Sequence, residues 1–371
     1  MRRIYIYQQS GWPRFKWDHE ALLFLLSSVR HKQGRLKGYM EALGFALRSE
    51  ATLQTLTLDV LKSSEIEGEL LSSDQVRSSI ARKLGMDIAG LVPADRNVDG
   101  VVEMMLDATR NYRKRLDNER LFGWHSALFP TGRSGIHKIA VGKWRDNEKG
   151  PMQVVSGALG KEKVHFEAPG AEHLKKEIKL FIQWFNSEAA LDPVLKSAIA
   201  HLWFVTIHPF DDGNGRIARA IADMQLARAD NDQQRFYSMS AQIRVERSAY
   251  YNILEKTQKG DLDITGWLLW YLNCLDRSLN TTDQNLQSVM MKTKFWDKHA
   301  QTVINERQRM LINKLFEGFT GKLTSSKWAK IAKCSPDTAL RDVQDLIEKK
   351  ILEKEEAGGR STAYKLKKLS V

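Results

Sequence analysis

The chain has 371 residues, 42% of them hydrophobic and 27% charged, with two cysteines and a formal net charge of +12. This composition excludes a disordered chain and a disulfide-stapled mini-domain, and the length asks for two or three domains. The basic balance suits a polyanionic partner without identifying one.

From the N-terminus, residues 3–8 (RIYIYQ) alternate as a strand does. WDHEALLFLLSSVRHKQGRLKGYMEALGF follows with apolar residues at helical spacing behind a cap at Asp18. No stretch is apolar for long enough to be a signal peptide or a membrane span. Cys274 and Cys334 lie far apart with no CxxC spacing. A cytoplasmic protein in a reducing compartment, with no membrane partner, is therefore expected. Helical periodicity continues through SEATLQTLTLDVLKSSEIEG, SDQVRSSIARKLGM, NVDGVVEMMLDATRNY and AEHLKKEIKLFIQWFNSE.

Between Thr131 and Pro169 the pattern breaks into a Gly-rich stretch with short β-prone pieces, MQVV and KVHF. It reads as an irregular connection containing a hairpin, and a connection of this length in a helical domain is more often functional than idle.

Residues 208–219 read HPFDDGNGRIAR. The small residues of DGNG let backbone approach a ligand, and RIARAIADMQLARA continues as a helix. The amides of Gly213 to Gly215 then sit at a helix N-terminus, where an anion is stabilised. Arg216 and Arg219, three apart, project from one face and can clamp a polyphosphate. Asp212 would repel that ligand unless a divalent cation lies between them, and Mg²⁺ accepts carboxylate and phosphate oxygens together. His208, held in a non-helical entry by Pro209, is a candidate general base; Phe210 reads as an apolar anchor. A competing reading takes GNGRIA as a GxGxxA dinucleotide fingerprint after a strand LWFVTI. HPFDD between strand and glycines, two acids facing a pyrophosphate, and the lack of βαβ alternation all oppose it.

HPFDDGNGRIAR fills every position of HxFx[D/E]GN[G/K]RxxR and so resembles the signature of the Fic (filamentation induced by cAMP) family, with residues from about 100 to 280 resembling its core. The resemblance implies transfer of AMP from ATP to a Ser, Thr or Tyr hydroxyl of a target protein, with release of pyrophosphate. It implies His208 as general base and Asp212 as Mg²⁺ ligand. Gly213, Asn214 and Gly215 would hold the α-phosphate, and Arg216 and Arg219 the β- and γ-phosphates. KVHFEAP resembles the family's β-hairpin flap, so Val164, His165 and Phe166 would dock an extended target segment by strand addition. SSEIEG resembles the inhibitory [S/T]xxxE[G/N] motif, with Ser63, Glu67 and Gly68 at its fixed positions and Glu67 set against Arg219. Tyr250 and Tyr251 are either base-stacking partners or core residues.

RSAYYNILEKTQKG and ITGWLLWYLNCLDRSL give two more helices, and the polar NTTDQNLQS leads to a last unit from about Phe295. There ERQRMLINKLFEGF, TSSKWAKIAKC and SPDTALRDVQDLIEKKI read as three helices, and LEKEEAGGRSTAYKL as two strands around Gly-Gly, the order of a winged helix-turn-helix. Thr338, Arg341 and Gln344 on the third helix and Arg360 in the wing are candidate DNA contacts, with Lys327 and Lys330 for phosphates. Residues 321–371 hold 12 Lys and Arg against 7 Asp and Glu. Asp337, Asp342 and Asp345 on the same helix disfavour a phosphate surface, and a protein-docking wing fits as well.

The expected protein is mainly α-helical. It comprises an N-terminal helical region over 1–95, a Fic core over 96–285 and a winged helix over 295–371. Its expected activity is ATP- and Mg²⁺-dependent, self-inhibited protein adenylylation, the chain itself being one eligible target and a homo-oligomer compatible with the sequence. The alternative is a DNA-binding regulator whose Fic core senses nucleotide.

Overall fold

A computed structural model of the chain describes residues 5–86, 90–148, 150–157, 161–188, 190–316, 321–355 and 362–367. It divides into two compact units, Met1–Asn280 and Thr281–Val371.

The first unit opens on a 3-10 turn, Ile6–Gln8, where strand-like alternation had pointed to a strand. The turn forms because Tyr5 and Ile6 are both buried, and Tyr5 N donates to Gln8 Oε1 rather than to a neighbouring strand. Helix α1 (His19–Ala42) starts at Asp18, whose carboxylate accepts from Glu20 N and Ala21 N as an N-cap should. Helices α2 (Phe45–Ile66), α3 (Ser73–Leu84), α4 (Arg96–Arg110) and α5 (Asn118–Leu128) follow. Ser72, Asp95 and Asp117 cap the last three.

The irregular connection supplies two antiparallel pairs, β1 (Arg133–Ser134) with β2 (His137–Lys138), and β3 (Gln153–Ser156) with β4 (Lys163–Glu167). Helix α6 (Ala171–Phe185) leads into α7 (Pro193–Ile207), which is buried from Val194 to its end. A helix apolar on all sides is stable only at the centre of a core. It packs on α8 (Asn214–Asp230), itself largely buried, and the 208–213 loop joins the two. LWFVTI is thus helical and every described sheet is a two-stranded antiparallel pair, which removes the dinucleotide-fingerprint reading.

Helices α9 (Met239–Val245) and α10 (Arg247–Gln258) complete the surround, and α9 packs on α2. Behind that contact Arg235, 2% exposed, pairs with Asp59 and Asp223, both equally buried. Ser238 Oγ also donates to Asp59 at 2.6 Å. Burial pushes the Asp223 carboxyl up, against the pull of Arg235. Removing the cation strands two acids in the core, so Arg235→Ala should cost about 3–5 kcal/mol in urea unfolding. A loss below about 1 kcal/mol, the scale of an exposed pair, would show that the cluster is not a structural node.

Helix α11 (Thr265–Lys298) runs unbroken through NTTDQNLQS, where a polar linker was expected. Between Trp267 and Lys298 there is neither Gly nor Pro, so nothing in the backbone stops the helix.

The second unit holds α12 (Glu306–Phe316), α13 (Ser325–Ala332), α14 (Pro336–Glu348) and the antiparallel strands β5 (Leu352–Lys354) and β6 (Tyr364–Leu366). Ser335 caps α14 ahead of Pro336 at its first position. Phe295, Leu311, Trp328, Val343, Leu352 and Tyr364 share one core. Among the described residues no helix is long and apolar enough to cross a membrane.

Candidate active site

The loop between α7 and α8 is shaped by its own sequence. His208 ends α7 in the left-handed region, φ 51°, with its N–H still donating to Phe204 O at 3.0 Å. Pro209 then prevents the helix from continuing. Phe210 is fully buried and stacks on His125, ring centroids 4.1 Å apart and planes 6° apart. Asn214 folds back over it: Oδ1 accepts from Phe210 N at 3.0 Å and Nδ2 donates to Phe210 O at 2.8 Å. The Asn214 side chain is therefore a staple for the loop, and only its backbone amide is left for the phosphate role expected of it. Gly213 caps α8 at φ +81°, and a Cβ there would lie 2.8 Å from the Phe129 ring, so both conformation and space demand glycine.

His208 Nδ1 sits 3.2 Å from Val205 O. A carbonyl only accepts, so the proton resides on Nδ1 and Nε2 keeps a free lone pair. Burial, only partly opposed by that hydrogen bond, pushes the imidazole down to about 4. His208 is thus neutral at physiological pH, with Nε2 able to accept a proton.

The two arginines are not bare. Arg219, 2% exposed, meets Glu67 Oε1 through Nη1 at 2.8 Å. It also donates to Ser63 Oγ at 2.9 Å and to Ser63 O at 2.8 Å. Burial alone would lower its basicity, but the Glu67 carboxylate outweighs that and raises it. Gly68 follows at φ +86°, turning the chain out of α2. Gly215 completes the fit, because a Cβ there would collide with Glu67 Oε1. Arg216 pairs with Glu69 and lies over the Phe129 ring at 5.0 Å. Its buried Nε has no partner among the described residues. Arg247 Nε donates to Ile66 O at 2.7 Å, and the Tyr251 hydroxyl is 3.3 Å from both Ile66 O and Glu67 Oε2.

A cavity of about 460 Å³ is lined by Glu67, His208, Gly215, Tyr251 and the β3–β4 hairpin. Tyr250 also borders it, yet is only 2% exposed with its hydroxyl 2.8 Å from His201 Nε2, which makes it mainly core. Asp212 instead borders a second cavity, about 480 Å³, together with Asp211, Ser134 and Lys138. The Ser134 hydroxyl donates to Asp212 Oδ2. Among the described residues no group of three or more His, Cys, Asp or Glu side chains could hold a metal by itself. A half-exposed carboxylate beside a hydroxyl fits Mg²⁺, which keeps most of its shell as water and phosphate oxygens.

The hairpin differs from expectation in its side chains. Phe166 is 1% exposed and packs edge-on against Tyr5, centroids 5.1 Å apart, so it anchors the hairpin and cannot reach a docking peptide. Val164 is half-buried and His165 is bonded to Ser156 and Glu255. Residues 158–160 lie outside the described residues.

Three supporting residues besides Ser134 escaped the sequence reading. His125 accepts from Gly142 N at 3.1 Å on Nδ1, so its Nε2 proton is free to donate to Asp212 O at 3.2 Å. Arg145 donates to His208 O at 2.8 Å and to Pro169 O, tying the loop to the base of the hairpin. Glu69 lies immediately after the recognised hexapeptide.

In the second unit, Arg341 and Gln344 are exposed on α14 and Thr338 is half-buried, its hydroxyl 2.8 Å from Ser335 Oγ. Lys330 is exposed on α13. Asp342 is buried and held by Arg307 at 2.9 and 3.1 Å. Asp345 accepts from Gln308 Nε2 at 2.6 Å and pairs with Lys349. Two of the three acids that counted against a phosphate surface are therefore neutralised from within. Arg360 and the Gly-Gly turn lie outside the described residues.

Residues 115–226 match the Fic/DOC family, and residues 5–86, which contain Ser63, Glu67 and Gly68, match a domain of unknown function, DUF4172. The chain is 28% identical over 211 residues to "Protein adenylyltransferase fic-1" of Caenorhabditis elegans, covering 56% of this chain and 38% of that protein. It is 27% identical over 318 residues to "Protein adenylyltransferase Fic" of Drosophila melanogaster, covering 80% of this chain and 58% of that one. The matches thus span roughly half the length of these curated relatives. Among solved structures, a Fic family protein from Desulfovibrio desulfuricans superposes with a TM-score of 0.52 at 20% identity, covering 95% of this chain and 98% of that chain. A Fic domain containing signaling protein from Bacteroides thetaiotaomicron gives 0.50 at 20% identity, covering 72% and 98%. At that identity the likeness establishes a Fic-type fold.

Proposed function

Because the chain carries a Fic/DOC-family domain over residues 115–226, we propose that it is a self-inhibited protein adenylyltransferase, moving AMP from ATP to a hydroxyl of a protein. The observation that carries this reading is the pairing of Glu67 with Arg219 in the cavity where His208 presents a free Nε2. A base, an anion-binding helix N-terminus and an arginine clamp stand together, and an acid of the same chain occupies the clamp.

In the active form Glu67 withdraws and the phosphates take its place on Arg219. Arg216, with its orphan Nε, takes a second phosphate once Glu69 yields. The amides of Asn214 and Gly215 face the α-phosphate, while that of Gly213 donates to Asp212 Oδ1. His208 Nε2 accepts the proton of the incoming hydroxyl as that oxygen bonds to phosphorus and pyrophosphate departs. Asp212 would hold Mg²⁺, which when bound neutralises phosphate charge. Tyr251 and Arg247, which grip the end of α2, set how readily Glu67 leaves.

Incubation of the Glu67→Gly protein with labelled ATP tests this reading. Label from the α-position should enter protein while label from the γ-position should not. Transfer of the γ-label would make the chain a kinase, and no transfer from ATP, GTP, CTP or UTP would remove the enzyme reading.

A second reading concerns the unit after Asn280. With Asp342 and Asp345 neutralised internally, α14 presents Arg341 and Gln344 to solvent, which supports a winged helix that binds DNA. DNA retention of the full chain that Arg341→Ala does not weaken would count against that surface.

A further inference from the structure

The register of the β3–β4 hairpin shifts between Val154, which faces Phe166, and Val155, which faces Val164. His165 is the extra residue of a β-bulge, a device that re-aims a side chain. Its Nδ1 lies 2.6 Å from Glu255 Oε2 on α10 and its Nε2 lies 2.6 Å from Ser156 Oγ on β3. A carboxylate only accepts, so Nδ1 carries the proton, Nε2 is the acceptor, and the Ser156 hydroxyl donates to it. Lys259 pairs with the second Glu255 oxygen and fixes that carboxylate. Nucleophile, base and orienting acid therefore stand in hydrogen-bonded order, the logic by which a serine is activated.

The location gives this arrangement a substrate. Ser156, His165 and Glu255 border the same cavity as His208 and Gly215. Its volume suits a single small ligand, so groups on its walls meet the same bound molecule. Ser156 is exposed, and the hairpin that carries it hangs beside the nucleotide position.

We propose that Ser156 is an AMP acceptor within the chain, activated by His165 and Glu255. The inference rests on the adenylyltransferase reading and names a substrate hydroxyl for it. Ser156 Oγ bonds to the α-phosphorus of ATP as the bond from that phosphorus to the bridging oxygen breaks. Pyrophosphate leaves, and the hydroxyl proton passes to His165 Nε2, whose new charge faces Glu255. The product is a Ser156–AMP phosphodiester on the hairpin.

The test uses the full chain with Glu67→Gly, ATP and Mg²⁺, followed by trypsin and mass spectrometry. Residues 150–161, GPMQVVSGALGK, form one tryptic peptide in which Ser156 is the sole hydroxyl, so the assignment is unambiguous. That peptide should gain one AMP. The gain should vanish with Ser156→Ala, persist with Ser156→Thr, which keeps a hydroxyl, and form about 100-fold more slowly with His165→Gln. AMP on other peptides with this one unmodified would overturn the inference while leaving the enzyme reading intact. An unchanged rate with His165→Gln would overturn the activation by His165. No AMP anywhere in the Glu67→Gly protein would overturn the enzyme reading and this inference with it.

Discussion

Glu67→Gly should raise AMP transfer by about 10- to 100-fold over wild type, the equivalent of freeing one or two charge-assisted hydrogen bonds. The wild-type carboxylate pairs with Arg219, where the proposed function puts a phosphate, and adds a negative charge to the cavity that would have to admit several more. The substitution should not damage the fold, because Glu67 ends α2 in an ordinary backbone conformation, φ −86°, that glycine also adopts. Glu69 still covers Arg216 in this variant, so release is incomplete and Glu69→Gln should add to it. ATP titration separates the causes. A restored phosphate clamp lowers KM and raises kcat together, and equal labelling by variant and wild type would overturn the inhibitory role.

Removing the base should have the larger effect. In the Glu67→Gly background, His208→Ala should slow transfer to a separate protein target by about 100- to 10,000-fold while ATP binding survives, since the phosphate contacts come from other residues. The pH profile gives an independent check. Burial makes the imidazolium the unfavourable form and holds His208 at about 4, so the base stays deprotonated as pH falls through the ordinary histidine range. The kcat/KM of the Glu67→Gly protein toward a separate protein target should stay level from neutrality into mildly acidic solution and fall only near pH 4. An acid limb at the unperturbed imidazole value would mean that another histidine, or a solvated one, is the base.

The part of this site legible in sequence was the part written contiguously. His208 to Arg219 belong to one loop and one helical turn, where local rules on glycine, proline and helix N-termini act within a few residues. Ser63 and Glu67 were legible because their spacing on α2 matched a known pattern. His125, Ser134 and Arg145 were not, because they reach the loop from 63 to 87 residues away in sequence and carry no local signature. Phe166 shows the converse. In a hairpin that alternates, a phenylalanine looks ready for a partner, and only packing against Tyr5 shows that it already has one. The bulge at His165 depends on register between strands, which neither strand encodes alone. The helical framework was legible wherever the 3.6-residue period was strong, but α7 is buried on every side and gives no such period.

The two arginines each have an acid from the same short segment, Glu67 on Arg219 and Glu69 on Arg216. Ser63 to Glu69 is, in charge terms, an internal mimic of a polyphosphate. A binding site for a highly charged ligand ordinarily strains an empty protein, since buried cations repel and want counter-ions. Here the resting protein brings its own, and can fold and persist without nucleotide. On the proposed function, the same two carboxylates that would hold the enzyme silent also let it fold before ATP arrives, and a variant that loses both should come to lean on ATP for its stability.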